Sequence, residues 1–370
     1  MEVIVVNDAS SEIEFIQFPK DLYQNDPEWV SPLDADIKSI FDPKKNNYFL
    51  IGNAKRWIIK KDHVVVGRIA AFYKKESLEA TGGIGFFECI NNQSISSILF
   101  DTAQKWLRDN HCSYMEGPIN FGEKDKFWGL MVQGFKNPSY QENYNFPYYK
   151  FLFEEYGFIK VFEQTTSEIS TVDFKFERFY KLSERVFKNQ NYQYKHFRMS
   201  KISEFSEDFI QIYNKAWSQR PDFIPITKLK IESTLKSLKP IMIEEAIWFV
   251  YANNEPAGFY VNVLDVNQIF KHLHGRMNWI NKLKFLYYRY FKKITRVRGI
   301  VFGVIPQYQN LGLETGLIIK FYESMRQKYP QFTHAELSWI GDFNPKMHSL
   351  FEALGAKTTK IHYTYAYQFK

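Results

Sequence analysis

Residues 304–314 read VIPQYQNLGLE, and what this stretch can form decides what the chain can be. The β-rich run 299–305 ends at Pro306, which cannot continue a ladder, and a short loop, 307–311, follows. From Gly312 onward Leu313, Leu317, Phe321 and Met325 recur four apart with Ile318 and Tyr322 beside them, the spacing of a helix that buries one face. A strand that turns into a helix through glycine leaves the first N–H groups of the helix unpaired, and the helix dipole adds to their positive potential. Such a terminus is suited to a pyrophosphate, and Gly312 lets the backbone approach it closely.

Working outward, a strand is predicted at 334–338, and a helix follows with its punctuation written out. Asn344 is a candidate N-cap, Pro345 sits at the first helical position, and Gly355 can take the left-handed position after the last turn. The final run, 357–369, is extended and aromatic. On the N-terminal side, 192–199 alternates as a strand, 205–217 and 225–238 have helical spacing, and 248–251 with 257–264 form a hairpin about Asn253-Asn254.

The chain also repeats itself. PYYKFLFEEYGF at 147–158 matches PKMHSLFEALGA at 345–356 with Pro, Leu-Phe-Glu and Gly in register, an offset of 198 residues. WIIKKDHVVVG at 57–67 matches WFVYANNEPAG at 248–258, an offset of 191. Two similar offsets in the same order imply a duplicated α/β unit with insertions of different length. The first copy is read as a strand at 2–6, a helix at 12–23, a hairpin at 57–73, a strand at 85–90, a helix at 94–108, a strand at 113–117 and a helix ending at Gly157. Residues 176–190 are charged and read as an irregular junction.

At Pro306, Tyr308, Gln309 and Gly312 the chain resembles the GNAT superfamily, whose signature is Gln or Arg, two residues, Gly, one residue, then Gly or Ala, usually preceded by Pro-x-Tyr. The last position departs from it: Glu314 stands where a small residue is usual. The order of elements resembles GNAT across the second copy and more weakly across the first, so the whole chain is similar to a bacterial tandem GNAT protein. The implied fold is α/β (α+β), with two tandem GNAT-like domains, each a mixed, mostly antiparallel sheet flanked by helices. Residues 1–178 would form a degenerate domain without a phosphate loop, since Asn91-Asn92-Gln93-Ser94 offers no glycine at the expected place, and would wall the substrate cleft. Residues 190–370 would form an acyl-CoA-binding domain carrying a basic insertion at 265–298.

The resemblance implies that backbone N–H groups of Gln309, Asn310, Leu311, Gly312, Leu313 and Glu314 hold the pyrophosphate of acetyl-CoA or another acyl-CoA. The strand end at Val304 would splay, pair with the pantetheine and polarise the thioester carbonyl. Asn344 would lie near the pantetheine arm, or serve only as a helix cap. A carboxylate at Glu314 suits an unliganded helix N-terminus but repels a pyrophosphate.

Aminolysis of a thioester needs a neutral amine and hence a base. GNAT enzymes often place a Glu on the strand before the phosphate loop, but 298–305 contains no acid; Glu336, on the next strand, is the substitute candidate beside a purely structural role. The tyrosine that many relatives use as general acid is matched by Phe351, which carries no proton, and Tyr363 and Tyr365 are the alternatives. The glycine-rich stretch 117–134 is read as a substrate loop or a surface connection.

Composition narrows the classes. The 370 residues are 45% hydrophobic and 24% charged, a folded chain long enough for two domains. No basic leader with an apolar core and no membrane-spanning run is evident, which predicts a cytoplasmic protein. Cys89 and Cys112 are the two cysteines, with no metal-ligand spacing, and are read as buried thiols. The net charge of +7 is concentrated: nine Lys or Arg and one acid, Asp265, lie between 265 and 298. There Trp279, Ile280, Leu283, Leu286, Tyr287, Tyr290 and Phe291 recur at helical spacing among Lys282, Lys284, Arg289, Lys292 and Lys293. This basic amphipathic helix fits an anionic membrane surface, an acyl carrier protein, or packing on its own domain; nucleic acid is not expected.

The functional expectation is an acyl-CoA-dependent N-acyltransferase, transferring acetyl to a small-molecule amine. The alternatives are a long-chain acyltransferase served by an acyl carrier protein, and a catalytically inactive acyl-CoA-binding protein.

Overall fold

One kind of turn closes the same hairpin twice. In the computed structural model, which describes residues 1–75, 80–124, 126–170, 176–218 and 225–370, Asp62 and His63 have φ of 50° and 66° and Asn253 and Asn254 have φ of 52° and 67°. Two successive left-handed residues make the type I′ turn whose twist matches the strands it joins. Likewise Gly157 and Gly355 end their helices with φ of 107° and 82°. The duplication read from the residues is thus repeated in the backbone.

In chain order the first half contains β1 (Glu2–Val5), α1 (Ala9–Leu22), α2 (Asp34–Ile40), β2 (Gly52–Lys61), β3 (Val64–Lys75), β4 (Ala80–Cys89), α3 (Gln93–Asp109), β5 (Tyr114–Gly117), β6 (Leu130–Gln133), α4 (Tyr149–Tyr156) and β7 (Ile159–Ser170). The second contains α5 (Phe176–Phe187), β8 (Tyr192–His196), α6 (Ile202–Trp217), α7 (Lys228–Leu238), β9 (Ile247–Ala252), β10 (Glu255–Leu264), α8 (Asn267–Phe270) and α9 (Trp279–Phe291). It is completed by β11 (Arg296–Val304), α10 (Leu313–Lys328), β12 (His334–Gly341), α11 (Pro345–Leu354) and β13 (Lys357–Gln368). Where irregular chain is expected at 176–190, α5 stands instead; its Phe179 and Val186 are buried, so a charged helix with one apolar stripe explains the misreading.

Both halves belong to one continuous mixed sheet, in the order β1-β2-β3-β4-β5-β13-β7-β12-β11-β10-β9-β8, with β6 pairing β13. The centre of this order is an exchange. The last strand of the chain, β13, adds to β5 of the first half, and β7, the last strand of the first half, adds to β12 of the second. The packing follows: Tyr365 of β13 is fully buried among Phe153, Leu152 and Leu99 in the first half, while Ile169 of β7 packs on the second half's core. In the first half α3 and α4 cover one face and α1 and α2 the other; in the second, α10 and α11 lie opposite α6.

Cys89 and Cys112 are buried free thiols, and burial pushes them up to about 12 and about 11. Among the described residues no helix is long and apolar enough to cross a membrane.

Candidate active site

A bulge makes the opening. Val261 of β10 faces Val301 and Asn262 faces Gly299, so Ile300 is an extra residue in β11. Such an insertion bends its strand and increases its twist. Accordingly β11 and β12 keep three pairs, Arg296 with His334, Val297 with Ala335 and Arg298 with Glu336, and then part. Beyond that point β11 follows β10 to Val304, while β12 follows β7 to the pair Gly341–Gln164. Ser338 Oγ donates to Gly299 O (2.8 Å) at the apex. Because Ile305 N–H donates to Ala257 O of β10, the alternation of an antiparallel ladder turns the peptide groups of Val304 into the opening.

The first half has the same device, with a bulge at Phe86 (φ 51°) and a parallel pair of strands joined only at Gly82–Met115 and Gly83–Glu116. Its opening is filled by its own chain. Ile119 N–H donates to Ile84 O (2.8 Å), and a Cβ on Gly85 would fall 1.9 Å from Ile119 O. The helix that follows, α3, is capped by the Asn92 side chain, which accepts from Ile95 N–H (3.1 Å).

The loop after β11 is built differently. Asn310 and Gly312 both have positive φ (64° and 86°), and Gly312, as N-cap of α10, supplies no side-chain cap. Backbone conformation and free helix terminus therefore fit an anion. Charge does not: burial raises the Glu314 carboxyl, while the neighbouring backbone N–H groups of Glu314 and Asn310 lower it. A carboxyl thus stands beside amides that a pyrophosphate would use. Leu313 is buried in the core and Leu311 is half exposed, so these two could contribute backbone only. Gln309 Nε2 folds back to donate to Val304 O (3.0 Å). Asn344 is the N-cap of α11, its Oδ1 accepting from Met347 N–H (3.3 Å), at the far lip of the opening.

Glu336 stands in the last pair before β11 and β12 part, with its side chain buried in the seam between the halves. It is 2% exposed and accepts from Lys360 Nζ (2.9 Å) and Ser139 Oγ, with Arg296 at 3.7 Å. Arg296 also pairs Asp265 (2.6 Å) and Glu168 (3.4 Å), and Lys360 also pairs Glu142 (2.5 Å). A carboxylate with both oxygens so engaged is held in place as a structural counter-charge. Phe351 is buried in α11's core contact, and Tyr365 donates to Glu154 (3.0 Å) inside the first half. Tyr363 faces the same side as Tyr365, opposite to His362.

Beside the opening lies a narrow pocket of about 20 Å³, room for about one water molecule, lined by residues of both halves. Arg298 of β11 and Trp339 of β12 meet Gln164 of β7 and His362 of β13, under a lid of Lys124, Phe127 and Trp128 from the glycine-rich stretch 117–134; Asp125 of that stretch lies outside the described residues. His362 is buried, and burial holds its imidazole below the ordinary value. Its Nε2–H donates to Asn143 O (3.0 Å), so the neutral ring keeps an acceptor at Nδ1. Burial would raise the Glu142 carboxyl, but Lys360 and Arg298 hold it down at about 2. Gln164 is 3% exposed and its Oε1 has no hydrogen-bond partner among the described residues. The pocket thus combines a fixed carboxylate, a neutral imidazole and an amide oxygen awaiting a donor. Of these residues, sequence reasoning singled out only the 117–134 stretch: Gln164 and His362 stand on the exchanged strands, where no local motif marks them.

A bulged strand splayed from its parallel neighbour, followed by a glycine-opened helix and repeated in two halves, is the architecture of the GNAT N-acetyltransferases in tandem form. The solved structures agree on the fold. A tandem GNAT protein from the clavulanic acid biosynthesis pathway superposes with a TM-score of 0.58 at 10% identity, covering 99% of this chain and 98% of that one. A GCN5-related N-acetyltransferase from Sphaerobacter thermophilus gives 0.50 at 9%, covering 99% and 95%. Among curated proteins, the chain is 24% identical to Protein YghO of Escherichia coli (strain K12) over 96% of its length and 92% of that protein's. It is 24% identical to the bacterial ceramide synthase of Caulobacter vibrioides, over 99% and 97%. No family model matches the chain.

Proposed function

We propose that the protein is an N-acyltransferase that moves a long acyl chain from a pantetheine thioester to the amino group of a lipid amine. The observation that carries this reading is the opening between β11 and β12 next to a two-sided pocket whose buried Gln164 Oε1 lacks a donor among the described residues. Three further features support it. The relative named as a ceramide synthase aligns over nearly its whole length, and a ceramide is the amide of a fatty acid with a long-chain amino alcohol. The borders of the opening are apolar: Ile300, Leu311 and Phe343 are 43%, 50% and 62% exposed. Finally, the pocket holds a neutral imidazole.

In this reading an amine N–H donates to Gln164 Oε1 and the His362 Nδ1 lone pair takes the proton as nitrogen attacks the thioester carbonyl. The C–N bond forms, the C–S bond breaks, and the proton goes on to the departing thiolate. The Val304 N–H, turned into the opening, would meet the carbonyl oxygen. A substrate that arrives as an ammonium first gives one proton to solvent, so the attacking group is the neutral amine, and Glu142 stays ionised beside it.

Glu314 favours a second reading of the donor. A phosphopantetheine thioester on an acyl carrier protein presents one phosphodiester where coenzyme A presents a pyrophosphate, and so asks less of amides that Glu314 already stands beside. The test is thiol release and amide formation with a long-chain amino alcohol, comparing acetyl-CoA, palmitoyl-CoA and palmitoyl carrier protein. Long-chain amide from either palmitoyl donor is expected. Product from acetyl-CoA alone, or no thiol release from any donor, would overturn the proposal.

A further inference from the structure

Helix α9 turns its apolar side outward. Trp279, Ile280, Leu283, Leu286, Tyr287, Tyr290 and Phe291 are between 47% and 78% exposed. At about 100° per residue these seven fall within a single arc of roughly 140°. Asn281 and Phe285, on the opposite side, are the helix's buried residues; Phe285 packs into the core, and Asn281 Nδ2 donates to Leu273 O (3.1 Å) and Arg276 O (2.9 Å). The sequence pattern of an amphipathic helix is therefore present with the usual sense inverted: what anchors it is one phenylalanine and one asparagine, and what it shows to solvent is its apolar stripe. So large a contiguous apolar patch marks a surface made for contact.

Its charges choose the partner. Lys284 borders one edge of the arc and Lys282 and Arg289 the other, while the centre of the arc is uncharged. Beside the helix a shallow, open pocket of about 230 Å³ is lined by Lys271, His272, Tyr288, Lys292 and Lys293, with the His272 ring stacked on Tyr288 (4.3 Å). No Asp or Glu occurs between residues 266 and 313, and among the described residues no salt bridge involves these lysines or Arg289. A second copy of the chain docking here would set lysine against lysine. An acidic protein would place its carboxylates on the basic edges and leave the apolar centre without a partner. A lipid surface satisfies both parts, with aromatic and aliphatic side chains entering the headgroup boundary and lysines meeting phosphate.

We infer that α9 and the adjoining basic pocket form a docking surface for an anionic phospholipid membrane, with the pocket receiving a lipid phosphate. The inference stands apart from the reaction proposed above, since it uses none of that site's residues.

The test is co-sedimentation of the full chain with vesicles of phosphatidylglycerol or of phosphatidylcholine at 0.1 M salt. Binding at least tenfold stronger to phosphatidylglycerol is expected, weakening as salt is raised, because each basic residue near such a surface is worth roughly fivefold in partitioning. Trp279→Glu with Phe291→Glu should lower binding at least tenfold at an unchanged melting temperature, these side chains being exposed. Lys292→Gln with Lys293→Gln should remove the preference for the anionic lipid while leaving weak apolar binding. Equal partition of wild type and both variants would overturn the inference. So would a dimer, seen by sedimentation equilibrium, that the first variant dissolves, or carrier-protein binding lost in these variants with no vesicle binding in the wild type.

Discussion

Lys360 Nζ lies 2.9 Å from Glu336 Oε2, reaching across the intervening strand β7, and each side chain is 2% exposed. Glu142 completes the group at 2.5 Å. One buried ammonium therefore serves two carboxylates drawn from different halves of the chain. Lys360→Met should cost about 3–5 kcal/mol, since it strands charges in the interior, and Glu336→Gln with Glu142→Gln on that background should recover part of it. Denaturant midpoints of the three proteins check this; a loss under 1 kcal/mol for Lys360→Met would mean the seam is wetter than the structure shows.

The same seam sets an acid response. Burial depresses the His362 pKa, so the unfolded chain binds its proton first, and stability is lost as pH falls from about 6.5. The Glu142 pKa is depressed to about 2, so its contribution, about 3 kcal/mol, is complete above the ordinary carboxylate range and is lost as pH falls from about 4.5 toward 2. Melting temperatures of wild type and His362→Asn should diverge between pH 7 and pH 5, and those of wild type and Glu142→Gln between pH 4.5 and pH 2. Parallel curves in either window would refute the corresponding assignment.

Glu314 competes with whatever anion the α10 terminus receives. Replacing it by serine removes the carboxyl beside the amides of residues 310 and 314, and coenzyme A affinity should rise about tenfold, or 1.4 kcal/mol, by calorimetric titration. Gly312→Trp should abolish the same binding, because φ is +86° there and Val186 Cγ1 lies 3.1 Å from an added Cβ. Unaltered affinity in that variant would remove the loop from the site.

His362 is proposed to accept the proton, and its replacement by asparagine should lower kcat about 100-fold with little change in KM. The acid limb of the rate profile should vanish with it. A fall in rate that leaves that limb in place would assign His362 a positioning role.

Tyr365 belongs to the last strand of the chain but to the core of the first half. Tyr365→Ala should cost about 3–5 kcal/mol, and amide exchange should quicken in α3 and α4, which pack around it. Exchange that quickens only in the second half would contradict the strand exchange.

Much of this was open to reading. The helix punctuation by Asn344, Pro345 and Gly355, the Asn253-Asn254 hairpin and the Gly312 helix stand where their residues require, because caps and turns are local. The exposed stripe of α9 was visible as a period, but not its direction, since the period of a helix does not say which side meets the core. The exchange of β7 and β13 was out of reach. Alternation identifies a strand without naming the edge it joins, and Gln164, Glu142 and His362 converge only once that choice is made. The choice between the two readings of Glu336 was hidden for the same reason: an acid next to an opening and an acid locked in a seam look alike until Lys360 arrives from 24 residues away.

The exchange also orders events during synthesis. The first half cannot close its sheet beside β5 until residues 357–368 have left the ribosome, so two units related by duplication do not mature one after the other. Until then β5 presents an open edge, a template for strands of other chains. Any product truncated before Lys357 keeps that edge for good, which ties the integrity of the first half to residues 357–368.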